Sequence, residues 1–131
     1  MSIQASLAIA IRKNFSQLEV WLQKRPNTNY WEFPGGKIEK NENPLQACLR
    51  EVLEETKWEV SCDDLHYFKL YQVEGVILHC YLADGRKASD LPKEGWKPLN
   101  SDLFKLSLPS NRELIEDLLS WQTDFNPQLL W

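Results

Sequence analysis

Residues 35–57 read GGKIEKNENPLQACLREVLEETK. The second half of this stretch is the clearest helix signal in the chain. Asn43 is placed to cap it, Pro44 suits its first turn, and Gln46 lies three residues after the cap. Leu45, Cys48, Leu49, Val52 and Thr56 recur at helical spacing and form a core stripe, so the helix is predicted to end near Thr56. Because each residue advances about 100° around the axis, Glu51, Glu54 and Glu55 project from one side. Small Ala47, one turn earlier, is expected to leave room above them. Each close pair of like charges costs about 0.2–0.5 kcal/mol in an isolated helix. A solvated acidic face normally interleaves Lys or Arg to offset this, and here only Arg50 and Lys57 are near. A hard divalent cation removes the repulsion, and oxygen ligands are what Mg²⁺ requires.

Just upstream stands Phe33-Pro34-Gly35-Gly36-Lys37. Paired glycines let a backbone bend sharply and approach a ligand closely. Glu39 and Glu42 follow on the connecting loop, where a carboxylate is placed to pair with Arg50. A bidentate pair of that kind fixes the loop against the helix.

Outward from this centre the pattern changes from period 3.6 to period 2. Leu7, Ile9 and Ile11 alternate, as do Leu18, Val20 and Leu22, with Lys13-Asn14 between them. Trp31 to Phe33 reads as a short strand ended by Pro34-Gly35-Gly36. Downstream, Trp58, Val60 and Cys62 alternate, and Tyr67 to Val73 reads as a longer strand. Glu74-Gly75 makes a tight turn into the nearly continuous buried run Val76–Leu82. Gly85 to Lys93 is a polar loop, and Trp96–Leu99 a strand. A last helix is expected from Ser110, with Ser110 and Glu113 as a capping box and Leu114, Ile115, Leu118 and Leu119 as its buried face. The order of elements predicts an α+β or α/β layered domain, with a mixed sheet between two helices. One domain accounts for residues 1–131.

Composition narrows the partners. The net charge of −4 argues against long nucleic acid, whose backbone needs clustered Lys and Arg. A small phosphorylated ligand held through a metal remains compatible, because the cation supplies the positive charge. The apolar run near the N-terminus is broken by Arg12 too early for a signal peptide or membrane span. Cys48, Cys62 and Cys80 are odd in number and lack CxxC spacing, which suits reduced thiols in a cytoplasm. His79, mid-strand among apolar residues, reads as a packed, hydrogen-bonded histidine rather than a general base, and Cys48 and Cys80 as core. Of the six Trp, those at 96, 121 and 131 suit a core layer, a base-stacking wall or a subunit contact. The tail from Gln122 to Trp131 has no clear reading.

Gly36, five residues, Glu42, seven residues, then Arg50-Glu51-Val52-Leu53-Glu54-Glu55 resembles the box of the Nudix superfamily. Six fixed positions at about one-in-fifteen frequency, tried at every start along the chain, give a chance match on the order of 10⁻⁵. One position departs: the family usually has Gly where this chain has Lys57. That glycine ends the helix with a positive φ, so Lys there is expected to cost about 1 kcal/mol or shift the helix end, without loss of a ligand. Trp31 to Glu39 is similar to the MutT-like branch, the sanitising nucleoside triphosphatases. Gln23-Lys24-Arg25 and Leu108-Pro109-Ser110-Asn111 resemble it more loosely.

The resemblance implies a Nudix fold and Mg²⁺, with Mn²⁺ as a substitute, held by Glu51, Glu54, Glu55 and the Gly35 carbonyl. It makes Glu51 the group that orients or deprotonates the attacking water, beside Glu54 and Arg50 in the catalytic set. Glu94 looks like the loop carboxylate that some members add to the metal, although another alignment of its loop is available. Arg25 would meet the phosphates, and Phe33 and Asn111 the purine, since an amide presents both a donor and an acceptor; Lys37 completes the substrate-binding set. Arg25 as a surface residue beside a turn, and Asn111 as an ordinary first-turn residue, remain the plain alternatives. The implied reaction is hydrolysis of a nucleoside triphosphate to monophosphate and pyrophosphate, with 8-oxo-dGTP the branch's typical substrate. Other Nudix substrates stay open: a pyrimidine triphosphate, a dinucleotide, a nucleotide sugar or an RNA 5′ end. A non-cleaving nucleotide sensor is a different class, but such modules usually lose box carboxylates and this chain keeps them. Monomer and homodimer are equally compatible with the sequence.

Overall fold

In the computed structural model, which describes residues 3–122, the long strand β1 (Ile3–Asn14) is the centre of the fold. A two-residue turn at Phe15-Ser16 leads into β2 (Gln17–Trp21), with Asn14 opposite Gln17. β3 (Gln23–Lys24) and β4 (Trp31–Glu32) form a separate two-stranded ladder. β5 (Gly35–Lys37) returns to β1, antiparallel, with Gly35 opposite Leu7. Helix α1 (Pro44–Thr56) follows, then the hairpin β6 (Leu65–Val73) and β7 (Val76–Asp84). β7 lies parallel to β1, while β8 (Trp96–Pro98) closes the other edge antiparallel to β2. Two helices end the described chain, α2 (Leu103–Leu106) and α3 (Arg112–Trp121). The main sheet runs β6-β7-β1-β2-β8, with β5 on β1, and is mixed as expected.

Side chains alternate across a strand, and here both faces are covered. Leu7, Ile9 and Ile11 pack with Val20, Leu82 and the α3 residues Leu114, Ile115 and Leu118. Ala8 and Ala10 face the other way, with Trp21, Tyr81, Ala83 and the α1 residues Cys48 and Val52. The sheet therefore lies between α1 and α3. Cys48 and Cys80 are both buried, on opposite faces. Trp96 belongs to the α1-side core, and Trp121 packs on the α3-side core with its ring edge-on to Phe68. Trp131 and the rest of the tail lie outside the described residues.

The start of α1 follows its sequence closely. The Asn43 side chain accepts from the Gln46 N–H at 2.8 Å, and the Gln46 side chain accepts from the Asn43 N–H at 2.8 Å. The helix stops at Lys57, which takes the left-handed conformation (φ 66°) and donates its N–H to the Leu53 carbonyl at 2.9 Å. Lys thus occupies the geometry that normally favours Gly, and the helix end is not shifted.

Other expectations are corrected. Gly35–Lys37 is a strand rather than only a strand terminator. Trp58, Val60 and Cys62 form no strand: Trp58 fills the α1-side core and Cys62 enters a 3₁₀ turn. The Ser110–Glu113 capping box does not form. Pro109 starts a 3₁₀ turn over Pro109–Asn111, which moves the N-cap of α3 to Asn111, without a side-chain cap bond. Gly85 to Lys93 is less polar in practice than in composition, since Ala88 and Leu91 join the core. No helix among the described residues is long and apolar enough to cross a membrane.

Candidate active site

Arg50 organises the acidic face of α1. Its Nε and Nη2 donate to the two oxygens of Glu42 at 2.9 and 2.7 Å, a bidentate fork, and Nη2 also donates to the Lys37 carbonyl at 3.0 Å. This locks the 37–42 loop to the helix, as the spacing of Glu42 and Arg50 predicts. The fork holds the Glu42 carboxyl down to about 2, with the Glu39 N–H bond adding to the effect. The remaining nitrogen, Nη1, donates to Glu51 Oε1 at 2.8 Å and Glu54 Oε2 at 3.3 Å, with Glu39 at 3.6 Å. One guanidinium therefore offsets much of the repulsion that the sequence places here, and these carboxylates keep the Arg50 guanidinium firmly protonated.

Glu55 is held differently. Its Oε2 accepts the Gly35 N–H at 2.9 Å and the Gln23 amide at 3.1 Å. Partial burial of the carboxyl raises its pKa above the usual range; these two bonds oppose that rise, while the charges of Glu51 and Glu32 add to it. Although much of the residue is accessible, its carboxyl end is tucked against Gly35 and Gln23.

The paired glycines have separate reasons to be Gly. A Cβ on Gly35 would run into the Ser6 carbonyl oxygen and the Leu7 backbone, so β5 could not lie on β1. A Cβ on Gly36 would stand 2.7 Å from both carboxylate oxygens of Glu51. Gly36 is thus the cradle that receives Glu51.

Two cavities flank this centre. The first, about 270 Å³, is lined by Arg25, Glu32, Phe33, Gly35, Gly36 and Asn111, with apolar walls from the β6–β7 hairpin. The second, about 290 Å³, is lined by Gln23, Lys24, Trp31, Glu55 and Glu94. Glu94 reaches this cavity because its loop is tied at both sides. The Trp21 indole donates to the Pro92 carbonyl at 2.8 Å, and the Leu22 N–H to the Gly95 carbonyl at 2.9 Å. Lys37 lines neither cavity; its side chain is exposed and its carbonyl serves Arg50. His79 is hydrogen-bonded to Gln4 at 3.0 Å, and burial pulls its pKa down.

Two residues at these cavities escaped the sequence reading as individual participants. Glu32 lines the first cavity, where burial raises its pKa against the opposing charge of Arg25, 3.5 Å away. Gln23 meets Glu55 across 32 positions of sequence, and no local pattern announces such a contact. Position in the Trp31–Glu39 segment is the one signal that pointed toward Glu32.

The candidate donors are all oxygens, carboxylates and a peptide carbonyl, which fit a hard divalent cation in kind. Gly36 adds a shaped seat for one of them. Among the described residues no three acidic, His or Cys side chains converge at ligand spacing, because Arg50 engages Glu51 and Glu54 while Glu55 turns to Gly35.

The NUDIX domain model matches residues 3–118. Together with a mixed sheet between helices, a glycine-bearing strand and a carboxylate helix locked by Arg50, this match makes the chain a hydrolase of phosphoric anhydrides that belongs to the Nudix family. Within that family it is MutT-like. An 8-oxo-dGTP diphosphatase of Buchnera aphidicola (strain Sg) is 31% identical over 119 residues, 86% of this chain and 89% of that protein. One from Proteus vulgaris is 52% identical over 40 residues, a match covering 28% of this chain and 36% of that protein. A MutT structure of the Aliivibrio salmonicida and Vibrio cholerae pair superposes with a TM-score of 0.67 at 26% identity, covering 90% of this chain and 96% of that one.

Proposed function

We propose that this Nudix hydrolase cleaves a purine nucleoside triphosphate to the monophosphate and pyrophosphate, with an oxidised purine such as 8-oxo-dGTP as its preferred substrate. The observation that carries this reading is the first cavity. It gathers Arg25, Phe33 and Asn111 beside strand β5, whose Gly36 seats Glu51. A base enclosed there by Phe33 meets the Asn111 amide, which reads donor and acceptor edges together. Arg25, which lines this cavity, binds the phosphates, and Lys37, exposed at the end of β5, is the remaining substrate contact.

Glu51, Glu54, Glu55, the Gly35 carbonyl and Glu94 are the proposed ligands for Mg²⁺, with Mn²⁺ as a substitute. Bound there, the cation activates water and neutralises charge that develops on phosphate. Glu51 accepts the proton of the attacking water. Arg50 holds Glu51 and Glu54 in place through Nη1 while its other nitrogens stay locked to Glu42. Water adds to phosphorus, the anhydride bond breaks, and pyrophosphate and nucleotide leave, so no covalent enzyme intermediate is needed.

A single domain over residues 1–131 performs this reaction on free nucleotides rather than on long nucleic acid. The unpaired Cys48, Cys62 and Cys80 support a reducing compartment, the cytoplasm. The test is pyrophosphate release with Mg²⁺ across ordinary, oxidised and methylated nucleoside triphosphates, run beside Glu54→Gln. The expected result is the highest kcat/KM for an oxidised purine, lost in the variant. Flat or absent triphosphate activity overturns the reading.

A further inference from the structure

We propose that Gln23 is a positioning residue that aims the Glu55 carboxylate at a divalent cation, an inference that rests on Glu55 being one of that cation's ligands. Two neutral donors, the Gln23 amide and the Gly35 N–H, converge on the same oxygen, Oε2. Two donors on one oxygen fix the rotation of the carboxylate about its last bond. They leave Oε1 as the oxygen with no hydrogen bond among the described residues. Gln23, Glu55 and Glu94 all line the second cavity, so the unengaged lone pairs belong to a group beside that space.

The chemistry of the donors matters as much as their number. Glu51 and Glu54 are engaged by Arg50, a cation that any incoming metal must share them with. Glu55 is engaged by an amide and a peptide N–H, which orient a carboxylate without repelling a cation. Lys or Arg at position 23 would neutralise Glu55, and Glu would push it away. Gln does neither.

The scaffold beneath Gln23 is stiff on both sides. Its backbone pairs with Glu32 in the β3–β4 ladder. The preceding residue, Leu22, donates to Gly95, next to Glu94. A side chain on so fixed a base can hold its partner in place, and groups that orient metal ligands typically affect affinity 10–100-fold.

The experiment measures binding of Mn²⁺ alone to the nucleotide-free protein, by electron paramagnetic resonance of the free ion. It compares Gln23→Met, Glu55→Gln and the double variant, with thermal unfolding of each recorded alongside. Gln23→Met keeps the length of the side chain and removes its donor; Gln23→Leu repeats the test with a different packing. The expected result is Mn²⁺ affinity about tenfold weaker in Gln23→Met with unchanged Tm, at least as weak in Glu55→Gln, and no weaker in the double variant. Wild-type affinity in Gln23→Met, with Glu55→Gln weakened, overturns the positioning role and leaves Glu55 as a ligand. A further tenfold loss in the double variant also overturns it, because Gln23 then acts elsewhere. Unchanged affinity in Glu55→Gln removes the ligand assignment itself, and the positioning role with it.

Discussion

β1 presents two faces that are built on different principles. Toward α3 it offers Leu7, Ile9 and Ile11, which share one buried core with Leu114, Ile115 and Leu118. Toward α1 it offers Ser6, Ala8 and Ala10. Small side chains there let the helix backbone lie close, and the Ser6 hydroxyl donates to the Pro44 carbonyl at 2.8 Å, fixing the first turn of α1. Large apolar side chains supply burial energy, whereas small ones supply proximity. The α3 face stabilises the domain, and the α1 face brings Glu51 and Glu55 down onto Gly36 and Gly35 of β5.

The comparison breaks most visibly in stability. Leu118 is fully buried on the α3 face. Leu118→Ala is expected to cost about 2–5 kcal/mol, from lost burial and the cavity left behind. Urea unfolding measures this, and the folded fraction should retain wild-type kcat. A normal stability with reduced kcat would mean that the α3 face also shapes the site.

The two glycines sharpen the same contrast within a single strand. In Gly36→Ala the new methyl meets the far end of a flexible side chain, the Glu51 carboxylate, so the fold yields cheaply while Glu51 is expelled from its seat. The expectation is an unchanged Tm and kcat/KM lower by about a hundredfold, equivalent to about 2.7 kcal/mol of transition-state stabilisation. In Gly35→Ala the methyl meets the backbone of Ser6 and Leu7, which cannot yield, and the Tm should fall sharply. Equal loss of stability in both variants would erase the distinction between a folding glycine and a site glycine.

Much of this division was legible in the sequence, and the limits have physical causes. The Asn43–Gln46 box, the core stripe and the Arg50–Glu42 pair are local or periodic, so spacing alone announces them. β5 was read only as a breaker because two glycines carry no alternation, although the absence of side chains is what lets it lie on β1. Ser110 and Glu113 have the right spacing for a cap, yet Pro109 begins a turn first and moves the helix start. The Gln23–Glu55 bond joins elements 32 positions apart, and its existence depends on the sheet being assembled.

The smallest expected effect lies at the end of α1, where the family pattern and this chain differ. Lys57 adopts φ 66°, a region where a Cβ crowds the following carbonyl and where Gly has no such cost. Its side chain is exposed and makes none of the contacts described for the catalytic face. Lys57→Gly should therefore relieve about 0.5–1 kcal/mol of local strain, offset in part by the greater freedom of Gly in the unfolded chain. A rise in Tm of about 2–4 °C, with kcat/KM unchanged, is the outcome to look for. The residue follows Glu55 by two positions, so the result also reports on rigidity near the site. A fall in kcat/KM with a raised Tm would mean that the strained helix end helps aim Glu55, and that the α1 face carries strain as well as proximity. An unchanged rate would confine the cost of Lys57 to stability, leaving Gln23 and Gly35 as the groups that fix Glu55.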